Sequence, residues 1–108
     1  MKTFQILALT FLSITTGAAV EVEGLLSQGC SGERVYEFTY DGGSDCVDVS
    51  KYITTGSIAV NNFVKDQQVN FYDDADCSVI RRTATEPICY EEEADANTVS
   101  FNVVCLEC

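Results

Sequence analysis

Three aspartates, Asp73, Asp74 and Asp76, run directly into Cys77 in the stretch VNFYDDADC, residues 69 to 77. Carboxylates at that spacing beside a thiol suit three chemistries. They can form an oxygen cage for calcium, a catalytic cluster, or the polar turn that ends a strand. The other residues with chemistry to offer are the six cysteines, Cys30, Cys46, Cys77, Cys89, Cys105 and Cys108. An even number in a short secreted chain reads as three disulfides, with the pairing left open. A zinc site is disfavoured: the chain has no histidine, and only Cys105 and Cys108 have knuckle-like spacing, with no second half to match.

The missing histidine also removes Ser-His-Asp and Cys-His nucleophile systems. A glycosidase-like carboxylate pair is compatible with the composition, but 17 acidic residues single out no particular pair. Tryptophan, the commonest sugar-stacking platform, is absent, and so short a chain leaves little room for a deep cleft. The expectation is a protein that is not an enzyme and holds no cofactor. An EF-hand on residues 74 to 85 fails too, because Val79 stands where the loop needs glycine and Thr85 where it needs glutamate.

The elements that must position these residues begin after a leader. MKTFQILALTFLSITTGAA has a basic residue at Lys2, an apolar run over residues 4 to 14, and small residues at Gly17, Ala18 and Ala19. This reads as a secretory signal peptide over residues 1 to 19, the run being too short to span a bilayer. Residues 20 to 108 then form a single secreted domain, and every cysteine lies within it. The formal net charge of the whole chain is −11, and loss of Lys2 makes the mature domain one unit more negative. So acidic a surface repels phosphate backbones and anionic headgroups, which argues against nucleic acid and against membrane insertion. An extracellular protein or wall component is the expected partner.

Period-two alternation dominates the mature chain. It places Tyr36, Phe38 and Tyr40 on one face of a strand, and predicts further strands carrying Ile58 with Val60, Val69 with Phe71, and Val99 with Phe101 and Val103. Pro87 suits the start of an edge strand over residues 88 to 90, and residues 91 to 95, EEEAD, read as a solvated loop. Residues 20 to 29 read as either a frayed leader or a first strand. An internal repeat also emerges: FTYDGGSDC, residues 38 to 46, aligns without gaps on VNFYDDADC, and SIAV, residues 57 to 60, matches SFNV, residues 100 to 103. On this alignment Cys46 and Cys77 occupy matching places and are not expected to pair with each other. Asp73, Asp74 and Asp76 become a strand-to-strand turn, equivalent to residues 42 to 45.

An aromatic strand entering a polar turn, then a serine-led strand, twice over residues 34 to 105, resembles the paired Greek keys of the βγ-crystallin fold. The small cysteine-rich secreted members, killer-toxin-like proteins of microbes and apoplastic effectors of plant-pathogenic fungi, are similar in length, leader and cysteine number. The resemblance implies an all-β, disulfide-stabilised β-sandwich of two Greek-key motifs. It also implies an effector-like interaction protein, with a killer-toxin-like antimicrobial or an inhibitor of an extracellular hydrolase as alternatives. The stretch to suspect for an inhibitor is residues 80 to 83, IRRT. Family calcium sites look degenerate here, because Gly56 and Val99 precede Ser57 and Ser100 where a hydroxyl is expected, and Tyr52-Ile53 and Asp95-Ala96 replace the acidic pairs.

Overall fold

The structure, a computed structural model, describes residues 19–63, 66–92 and 97–107. The expected leader therefore lies outside the described residues, apart from Ala19. The described chain is all-β, with strands β1 (Val20–Ser27), β2 (Ser31–Tyr40), β3 (Val47–Asp48), β4 (Ser57–Asn61), β5 (Gln67–Tyr72), β6 (Ile80–Ala84), β7 (Ile88–Glu91) and β8 (Ser100–Cys105). They form two four-stranded sheets, in the orders β2-β1-β4-β7 and β3-β8-β5-β6. Every pairing is antiparallel.

Of the two readings of residues 20 to 29, the first strand is the one observed. Its VEVEG alternation buries Val20, Val22 and Gly24 and leaves Glu21 and Glu23 half exposed, as a strand with one face on a core requires. β1 then lies between β2 and β4 at the centre of its sheet. Gly24 is required there: a Cβ would overlap the ring of Tyr36 and stand 2.8 Å from Cγ2 of Thr55. β7 starts directly after Pro87 and forms the edge of the first sheet, where a residue with no amide hydrogen costs no ladder bond.

One core joins the two sheets. Val20, Val22, Ile58 and Val60 of the first sheet cluster with Val69, Phe71, Phe101 and Val103 of the second. The side chains expected to share a core, Ile58, Val60, Phe101 and Val103, are all at most 2% exposed. Aromatic edges cross between the sheets: Phe101 meets Phe38 with centroids 5.5 Å apart, and Phe71 meets Tyr90 at 5.7 Å. Such edge-on pairs add about 0.5–1.5 kcal/mol each beyond the area they bury.

The registers reveal the internal repeat. In the first sheet Val22 pairs with Val60 and Gly24 with Ile58; in the second, Val69 pairs with Val103 and Phe71 with Phe101. The match of SIAV with SFNV is therefore real, but VNFYDDADC corresponds to the end of β1 and the turn after it, not to residues 38 to 46. The alignment slipped because Gly24 occupies the place of Phe71, with Tyr36 from the neighbouring strand filling the space that glycine leaves.

Candidate functional site

The shifted repeat overturns the expectation about Cys46 and Cys77, which are bonded to each other with Cα atoms 5.9 Å apart. Cys30 is bonded to Cys89, also at a Cα separation of 5.9 Å. Cys77 has its counterpart in Cys30, not in Cys46: both follow the first strand of a hairpin and both hold a left-handed backbone, at φ 56° and 52°. Cys46 has its counterpart in Cys89, for Cys46 directly precedes β3 and Cys89 lies in β7, the strands that flank β8 and β4. Each bridge thus ties a hairpin turn to the edge strand of its own sheet that arrives from the other half of the chain. Cys105 is also disulfide-bonded, and Cys108 lies outside the described residues.

Two buried serines reinforce the same turns. Ser57 Oγ donates to the carbonyl of Ser27 at 2.6 Å and accepts from the amide of Cys30 at 2.9 Å. Ser100 Oγ donates to the carbonyl of Asp74 at 2.5 Å and touches the Cys77 sulfur at 3.2 Å. Both serines are fully buried, so these bonds give the two interior hydroxyls their partners and fasten the turns at the same time. Glu91 adds to the first turn by accepting the Gly29 amide on both carboxylate oxygens at 3.0 Å.

The aspartates of VNFYDDADC form the turn between β5 and β6, as the turn reading requires. They do not converge. Asp73 donates its amide to the carbonyl of Val79 at 2.9 Å and pairs its carboxylate with Arg81 at 2.9 Å. Asp74 folds back on its own loop, accepting from the amides of Ser78 at 3.0 Å and Val79 at 2.9 Å and from the Ser78 hydroxyl. The Ser78 hydroxyl first, then the Val79 amide, hold the Asp74 carboxyl down at about 2. Asp76 stays in water. The equivalence of this turn to residues 42 to 45 fails: those residues link β2 to β3, and the true counterpart is the turn at Gly29 and Cys30.

Residues 80 to 83 are not a protruding loop. They lie in β6, an edge strand, where Arg81 is held by Asp73 with 13% of its side chain exposed and Arg82 lies 4.5 Å over the ring of Tyr90. The solvated-loop expectation for residues 91 to 95 also needs correction. Glu91 ends β7, and Glu92 is 4% exposed, accepting from the amide and hydroxyl of Thr98 at 2.5 and 3.0 Å; residues 93 to 96 lie outside the described residues.

Between the β3–β4 connection and residues 97 to 99 lies a cavity of about 190 Å³, to which Tyr36, Ser50, Tyr52, Ile53, Thr54 and Asn97 contribute. That is smaller than the roughly 300–1,000 Å³ of small-molecule sites. Burial first, then the negative charge of Glu92, pushes the Tyr36 phenol well above its ordinary value, so it stays a neutral hydroxyl. Sequence reasoning missed this region because its residues are ordinary serines, threonines and tyrosines, brought together only by the crossing of two connections. Among the described residues no group of three or more Cys, Asp or Glu side chains gathers as a metal site would. No protein-family description, curated protein or solved structure matches the chain.

Proposed function

We propose that this is a secreted, cysteine-rich interaction domain of the effector type, which binds a host protein or a wall component through one rigid end of a paired Greek-key β-sandwich. The strand order supports the architecture. β1, β2 and β4 take β7 into their sheet while β5, β6 and β8 take β3, the exchange that two Greek keys make when they share a core. The observation that carries the functional reading is the double fastening of both hairpin turns, each by a disulfide and by a buried serine. A surface held this way loses little conformational entropy when it binds, and disulfides of this kind persist in an oxidising compartment.

The antimicrobial alternative meets a strongly acidic surface, whereas membrane disruption generally uses a cationic face. The inhibitor alternative lacks its loop, since both arginines of residues 80 to 83 are engaged within the fold. The test is to incubate the oxidised domain separately with wall material and with extracellular protein of a susceptible host. Saturable retention that disappears on reduction and alkylation is expected. Growth arrest of competing microbes without any retention would transfer the reading to the antimicrobial class.

A further inference from the structure

We propose that the cavity beside Tyr52 and Asn97 takes one uncharged sugar unit of a neutral glycan chain. This inference rests on the reading of the protein as an extracellular binding domain and names the wall-component arm of it. None of the described residues lining the cavity is charged, although 17 acidic and 6 basic residues crowd this short chain. A molecule that enters is therefore selected by shape and hydrogen bonding rather than by charge.

The lining has the two characters that a sugar ring matches. Thr54 brings a hydroxyl able to donate and to accept, as the hydroxyls of a sugar do, and Ser50, whose own proton goes to Oδ1 of Asp48 at 2.6 Å, brings an acceptor. Tyr36 and Tyr52, with ring centroids 5.4 Å apart, and Ile53, 66% exposed, bring aromatic and aliphatic surface for the C–H face of the ring. Asn97 supplies an independent observation: its Oδ1 is buried and has no hydrogen-bond partner. Buried acceptors are nearly always satisfied, and a ligand hydroxyl supplies the donor this one lacks once the Asn97 side chain turns into the cavity it lines. A protein partner is the less suitable occupant of the cavity itself, because a stable protein interface buries about 1,200–2,000 Å² in total. A polymer of repeated units is better matched, since its many identical units raise the local concentration of the one unit that the cavity captures.

The experiment is cosedimentation of the oxidised full domain with insoluble β-1,3-glucan, chitin and cellulose, with polygalacturonate as the charged comparison. Two variants accompany it, Asn97→Leu and Tyr52→Ala. Retention on at least one neutral polymer is expected, competed by its soluble oligosaccharide and weakened about tenfold by Asn97→Leu, equivalent to about 1.4 kcal/mol. Asn97→Leu removes the buried, unpartnered Oδ1 along with the amide nitrogen, so its melting temperature should stay close to the parent even if Tyr52→Ala fails to fold. Retention on no neutral polymer, retention on polygalacturonate alone, or retention unaffected by Asn97→Leu would overturn the inference. If the domain ignores every glycan yet captures a host extracellular protein, the cavity inference falls while the binding-domain reading stands.

Discussion

The side chains of Ser57 and Ser100 hold the same place on opposite sheets, each reaching out of a buried strand start to a carbonyl in the neighbouring hairpin turn, Ser27 at 2.6 Å and Asp74 at 2.5 Å. Ser57→Ala and Ser100→Ala each remove the buried hydroxyl that fastens a hairpin turn. Each is expected to lower stability by about 0.5–1.5 kcal/mol, the usual net contribution of an intramolecular hydrogen bond. Urea unfolding of the two variants checks this, and a shift of only one midpoint would show that the halves are not equivalent.

Phe71 is fully buried, pairs with Phe101 across β5 and β8, and meets the ring of Tyr90 from the other sheet. Phe71→Ala removes a ring from the junction of both sheets. A loss of about 3–5 kcal/mol is expected, read as a lower denaturation midpoint and a smaller yield of folded protein. A loss under about 1 kcal/mol would place the core elsewhere.

Gly24→Ala is a sharper test of the same core. The added methyl runs into the ring of Tyr36, which itself packs against Phe38 and Tyr52, so the ring cannot retreat freely. Destabilisation by about 1–3 kcal/mol is expected from overpacking. The second change Tyr36→Leu should recover part of it, as a double-mutant cycle in the melting temperature would reveal.

Much of this core was legible from alternation alone. Tyr36, Ile58, Val60, Val69, Phe71, Phe101 and Val103 sit where period two puts them, on the strand faces turned to the shared core, although β4 and β5 also bury Ala59 and Asn70 between them. The partner of VNF was not legible, since a glycine, Gly24, stands where Phe71 does and only a valine is common to both strands, so the equivalence lies in the strand register. That one slip produced the wrong expectation for Cys46 and Cys77. The burial of Glu92 was hidden for a similar reason: a run of glutamates reads as solvated, and only the approach of Thr98 gives one of them a dry set of donors.

The turn at Asp74 makes a prediction about acid. Its carboxyl is held at about 2 by the Ser78 hydroxyl and the Val79 amide, below the ordinary value of about 3.9 for the unfolded chain. A depressed folded value means that the ionised group favours the native state above about pH 4, and that this contribution is lost as the pH falls through about 2. Melting curves taken from about pH 6 down to about pH 2 should show Asp74→Asn closing the gap with the parent at the acid end. A gap that stays constant across the range would mean that the carboxylate charge plays no part in the turn.

The most direct measurement is a disulfide map of the oxidised protein, digested without reduction and sequenced by mass spectrometry. The account predicts linked peptides joining Cys30 to Cys89 and Cys46 to Cys77, each fastening a hairpin turn to the strand that the other half contributes. Pairs confined within one half, such as Cys30 with Cys46 or Cys77 with Cys89, would contradict the strand exchange and the rigid binding end built on it.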